Sequence, residues 1–118
     1  MKRVVITGMG IYSCIGKNLA EVKDSLYEGK SGIGVDQARI EMGYRSPLTG
    51  QVTLPDLKGK LDRRSRVGLP EQGYYAYEAT LEAMLNSGLT TAFLEKNEVG
   101  ILYGNDSSAK AVIEGVDI

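Results

Sequence analysis

Three groups of residues in this chain have types and spacings that could do chemistry. Gly8-Met9-Gly10 lies directly behind the apolar run Val4-Val5-Ile6, where a glycine turn can cradle a phosphate. Cys14 follows and offers a thiol. Lys58, Lys60, Arg63, Arg64 and Arg66 crowd one short window, and Asp56 and Asp62 offset only part of their charge. A patch of that kind steers acidic partners. The first two groups have simpler readings. A dinucleotide loop needs G-x-G-x-x-G, but Ser13 stands at the third glycine and the acid expected on a second strand falls in a loop-like stretch. The glycines are therefore read as a tight turn that permits close packing. The chain has no histidine to act as a base for Cys14, and Lys17 is its one near cation, so a small packed residue is expected. Tyr74, Tyr75 and Tyr77 form an aromatic cluster, but Glu71 and Glu78 stand where a nucleic-acid platform would want basic residues. Core packing with hydroxyls at the surface is the expectation there.

The elements that must position these groups follow from pattern. Arg3 to Thr7 reads as a strand covered on both faces, ended by Gly8 and Gly10. Asn18 and Glu21 form a capping-box pair, and Leu19, Val22 and Leu26 recur at helical spacing, with Lys23, Asp24 and Glu28 facing away. Gly29 is the natural stop, with Lys30 near the negative end of the helix. Ser31 to Leu57 reads as irregular, with room for a short strand around Gly50 to Thr53. A second helix starts near Pro70, after an irregular turn around Arg63 to Leu69 or as a late start. Its apolar stripe is Tyr74, Tyr77, Leu81, Met84 and Leu85, Glu78 and Glu82 face solvent, and Asn86-Ser87-Gly88 ends it. Thr90 or Thr91 caps a helical turn through Lys96, and Glu98 to Tyr103 reads as a second strand. Gly104-Asn105-Asp106 turns sharply, and Asp106 or Ser107 caps a third helix through Ala109, Val112 and Ile113. Alternation of this kind predicts a mainly parallel, helix-covered sheet, and two or three strands are few for such a sheet.

Composition narrows the function classes. A formal net charge of -1 over 118 residues excludes a general nucleic-acid-binding charge. With 42% hydrophobic and 25% charged residues the chain has a globular rather than a disordered composition. No apolar run approaches the roughly 20 residues of a membrane span, and the run after Lys2 and Arg3 is too short for a signal-peptide core. A single cysteine allows no internal disulfide, so a cytoplasmic location is the expectation.

Arg3-Val4-Val5-Ile6-Thr7-Gly8-Met9-Gly10, Ser13-Cys14-Ile15-Gly16 and Glu28-Gly29-Lys30-Ser31-Gly32-Ile33 together resemble the start of the β-ketoacyl-[acyl-carrier-protein] synthases. The resemblance continues through Leu61-Asp62-Arg63-Arg64 and the Tyr/Ala/Leu helix to Val99-Gly100-Ile101-Leu102-Tyr103-Gly104. It implies an α/β, thiolase-like fold: the N-terminal part of a layered α-β-α-β-α sandwich with a mainly parallel sheet and covering helices. On that reading residues 1–118 are an incomplete, N-terminal piece of the domain. The family's reaction is a decarboxylating Claisen condensation that lengthens an acyl chain held on acyl carrier protein. It uses a cysteine thiolate at a helix head and two histidines, and needs no cofactor or metal. Cys14 does not match that cysteine, and the histidines have no counterpart here, so no catalytic residue is expected in this chain and the piece alone is expected to be inactive. The resemblance assigns Arg63 and Arg64, with Arg66 as a third, to docking of the acidic carrier protein. It places Asn105, Asp106 and Ser107 at a dimer interface that helps line the acyl pocket, although the family carries more glycine there. The implied assembly is a homodimer, or a heterodimer of paired subunits, with neither nucleic acid nor membrane as partner. Two other readings stand beside this one: a non-catalytic chain-length partner of the same fold, and a free-standing small α/β interaction domain.

Overall fold

The computed structural model describes residues 1–105, Ile113 and Val116. The chain divides into two compact units, Ile11–Thr53 and Met1–Gly10 with Leu54–Ile118.

In the unit Ile11–Thr53, helix α1 (Leu19–Glu28) begins at Asn18, whose side chain accepts the Glu21 N–H at 2.9 Å. The Glu21 carboxylate reaches back to the N–H of Lys17 at 2.7 Å, one residue earlier than an ideal capping box. Gly29 stops the helix in the left-handed region, at φ 66°, while the Lys30 N–H closes onto the Ser25 carbonyl. The buried face is Val22 and Ser25 rather than the expected apolar stripe, and Leu26 is exposed. Ser25 tolerates burial because its hydroxyl donates to the Ile15 carbonyl at 2.6 Å. The stretch expected to be irregular holds three elements: β1 (Ile33–Val35), α2 (Gln37–Glu41) and β2 (Leu48–Gly50). Asp36 caps α2, its carboxylate accepting the Ala38 N–H at 3.0 Å. β1 and β2 pair antiparallel, with Ile33 opposite Gly50 and Val35 opposite Leu48. The anticipated strand at Gly50 to Thr53 is thus displaced toward the N-terminus. This register puts the side chains of Val35 and Leu48 together on one face.

In the other unit, α3 (Arg63–Val67), α4 (Glu71–Ser87) and α5 (Thr91–Lys96) follow one another. The stretch before α4 is a separate capped helical turn rather than an irregular extension of it. Pro70 opens α4 and Gly88, at φ 75°, ends it. Thr90 caps α5 through a 3.2 Å bond from the Phe93 N–H to its hydroxyl. Leu57 anchors the buried interior at 1% exposure. Leu85, assigned to the apolar stripe of α4, is 84% exposed.

The two expected strands form no ladder. Arg3–Thr7 and 98–103 make no strand pairing, and the described residues contain a single sheet, β1 with β2. Val4 is 94% exposed where a two-face-covered strand would bury it. A strand is defined by its hydrogen-bonded neighbour, and these apolar runs find none among the described residues. The expected mainly parallel sheet is therefore replaced there by one antiparallel pair. The third helix is anticipated from Asp106 or Ser107 through Ala109, Val112 and Ile113; residues 106–112 lie outside the described residues, and Ile113 is helical.

Candidate functional site

The basic window is built around Leu57 and Asp62. The N–H groups of Lys60 and Leu61 both donate to the Leu57 carbonyl, at 3.1 and 3.0 Å, which curls the loop onto this buried anchor. Asp62 then opens α3, its carboxylate accepting the Ser65 N–H at 2.7 Å. The Ser65 hydroxyl, then its N–H, and then the Arg66 charge hold the Asp62 carboxyl below the usual carboxylate range. At the other end, the Leu69 N–H and the Tyr74 hydroxyl both donate to the Arg66 carbonyl, at 3.2 and 3.1 Å. The single turn is thereby tied down at both ends, which a five-residue helix needs because it has little cooperativity of its own.

The cations of the window have separate fates. Lys60 pairs with Glu78 on α4. Glu78, expected to face solvent, keeps 19% of its side-chain exposure, because the loop carrying Lys60 folds onto it. Arg66 is half-buried, and its Nε is shut away from solvent without a hydrogen-bond acceptor among the described residues. Arg63 and Arg64 are exposed, and neither has an ion-pair partner among the described residues. With Val67 and Gly68 they line an open depression of about 610 Å³. Arg63 and Arg64 are thus brought together at the surface, whereas Arg66 is set apart. Val67 and Gly68 were not singled out by charge. Their place three to five residues after the arginines, on the same helical turn, is the signal that could have found them.

The other candidates take structural parts. A Cβ at Gly10 would meet the Ala79 carbonyl oxygen of α4 at 1.8 Å, and one at Gly8 would meet the Ser87 nitrogen at 2.5 Å. The Met9 N–H donates to Asn86 Oδ1 at 3.0 Å. The glycine motif therefore lies against a helix flank rather than at a helix start, where a phosphate would sit. Cys14 is half-buried, and a Cβ on Gly32 would come within 2.6 Å of its sulfur. It also lines a cleft of about 250 Å³ with Tyr12, Lys17, Glu21 and Gln51. The Tyr75 hydroxyl donates to the Glu71 carboxylate at 2.8 Å, and both Tyr74 and Tyr75 are half-buried, as packing residues with satisfied hydroxyls should be. Asn105 is exposed and belongs to no helix or strand; Asp106 and Ser107 lie outside the described residues. Among the described residues no helix is long and apolar enough to cross a membrane, and no cluster of His, Cys, Asp and Glu is arranged to hold a metal.

Residues 1–116 match the family described as beta-ketoacyl synthase, N-terminal domain. The chain is 38% identical to 3-oxoacyl-[acyl-carrier-protein] synthase 1 of Buchnera aphidicola subsp. Baizongia pistaciae over 120 residues, covering 100% of this chain and 30% of that protein. It is 40% identical to the protein of the same name from Escherichia coli strain K12 over 106 residues, covering 89% of this chain and 26% of the relative. The Haemophilus influenzae counterpart is 38% identical over 104 residues, covering 88% of this chain and 25% of the relative. The chain therefore spans under a third of the length of these relatives. An opening run with glycines packed onto a helix, followed by an exposed arginine turn, thus goes with a match over nearly the whole chain, and the chain belongs to the β-ketoacyl synthase family through its N-terminal domain.

Proposed function

We propose that this chain serves as the N-terminal part of a 3-oxoacyl-[acyl-carrier-protein] synthase of thiolase-like fold, within the layered, mainly parallel sandwich of that fold. The observation that carries this reading is identity of 38 to 40% with synthases of that name across 88 to 100% of the chain. In the reaction, an acyl group passes from acyl carrier protein to a cysteine thiolate. Malonyl carrier protein then loses carbon dioxide, and the resulting carbanion displaces the thiolate to give the 3-oxoacyl product. The chain has no histidine, and Cys14 is packed among glycines, so the reacting groups come from outside these residues. The part of this segment is to present the carrier. Arg63 and Arg64 supply free positive charge for an acidic carrier protein, with the half-buried Arg66 as a third cation. Asn105, Asp106 and Ser107 belong to the acyl-pocket and dimer-interface side, in a homodimeric cytoplasmic enzyme.

The test is a transplant. Residues 1–116 replace the matching segment of the Escherichia coli synthase, and condensation of acyl and malonyl carrier proteins is measured. The expected result is retained condensation by the chimaera and none by the 118-residue chain alone. A chimaera that melts cooperatively as a dimer yet makes no 3-oxoacyl product overturns the reading.

A further inference from the structure

The run Arg3–Thr7 is open in both its main chain and its side chains. None of its N–H or C=O groups has a hydrogen-bond partner among the described residues. Val4, Val5 and Ile6 are all exposed, and the apolar surface of this unit continues through the exposed Met9, Ile101 and Leu102. Between them lies a cleft of about 480 Å³, where Thr7 and Gly8 meet Val99, Gly100 and Ile101. Exposed apolar side chains of this size offer on the order of 100 Å² each. The six together approach the roughly 800 Å² a side that a specific interface buries.

We propose that this edge takes a second copy of the chain, the two Arg3–Thr7 runs pairing antiparallel about a two-fold axis through Val5. The sequence is its own complement in that register: Val5 faces the partner's Val5, Val4 faces the partner's Ile6, and Arg3 faces the partner's Thr7. The centre is then a set of β-branched cross-strand pairs, and Gly8 ends the ladder. Charge selects this arrangement over a stack of parallel strands. Lys2 and Arg3 have no ion-pair partner among the described residues. Parallel, in-register copies would hold these cations about 4.8 Å apart, strand on strand. The antiparallel pair separates the two Arg3 positions by four residues of strand, about 14 Å, beyond the roughly 10 Å screening length of 0.1 M salt. The pairing therefore closes as a dimer instead of growing. It uses residues other than Asn105, Asp106 and Ser107, and it does not rest on the synthase reading.

Sedimentation velocity of the 118-residue chain from micromolar to millimolar concentration reads the association, and a monomer–dimer equilibrium is expected. Val5→Lys sets like charges face to face on the axis and is expected to weaken dimerisation about tenfold, with the urea midpoint of the dilute chain unchanged because Val5 is exposed. Leu26→Lys, at an exposed apolar position on α1 in the other unit, is expected to leave dimerisation as it was. Register is read by oxidation with copper phenanthroline in a Cys14→Ser background. Val5→Cys is expected to join two copies, and Arg3→Cys is not, because its counterpart lies too far away for a disulfide. A chain that stays monomeric throughout overturns the contact, as does equal weakening by Leu26→Lys and Val5→Lys. Cross-linking at both positions marks a parallel stack and overturns the two-fold pairing.

Discussion

Gly8-Met9-Gly10 and the turn Arg63–Gly68 are two regions whose sequence suggests an anion site, and they are built in opposite ways. The first spends its lack of side chains on closeness: its backbone lies against Ala79 and Ser87 of α4, leaving no room for even one methyl group. The second keeps its backbone groups internally bonded, through Asp62, Ser65 and Tyr74, and turns its charged side chains outward. The contrast teaches that a glycine-rich loop can serve an anion only while its amide groups stay open, whereas this turn bonds its amides internally and leaves its charge to exposed side chains.

The sharpest way to break this contrast is Gly10→Ala. The new methyl group would meet a backbone oxygen, which cannot swing aside, so a loss of about 3 kcal/mol is expected in urea denaturation. An unchanged midpoint would show that the motif is not held against α4. Next in size, reversing both arginines, Arg63→Glu with Arg64→Glu, should weaken carrier binding about tenfold at low salt and much less near 1 M salt. The denaturation midpoint should not move, because neither side chain is buried or paired among the described residues.

The smallest effect concerns pH. Folding lowers the Asp62 pKa from its ordinary 3.8, so its capping contribution is complete above that value and is lost as pH falls through the lower folded value. A carbon-13 titration should place Asp62 below the aspartates of the urea-unfolded chain. Asp62→Asn should keep the cap while removing this acid-side loss; an Asp62 midpoint at or above the unfolded value would contradict the cap.

Much of this was legible in the sequence, and the division follows range. α1, α4 and α5 were readable from Asn18, Pro70 and Thr90 at their starts and from Gly29 and Gly88 at two of their ends, because caps act within a few residues. The arginine turn was readable as a charge cluster. The two strands were not, because Arg3–Thr7 has strand composition but a ladder depends on a distant partner. β1 escaped notice and β2 was placed too late for the converse reason: three residues each, with Gly34 and Gly50 among them, give almost no local signal. The Lys60–Glu78 pair joins residues 18 apart, so helical periodicity alone assigned Glu78 to solvent.

The unladdered run Val4-Val5-Ile6 also governs how this molecule must be handled. Its side chains face water, and its main chain offers donors and acceptors to any β segment that drifts past. At millimolar strength, as for spectroscopy or crystal trays, the chain would meet itself far more often than a dilute carrier. Titrations should therefore begin at nanomolar protein, with light scattering recorded beside every point.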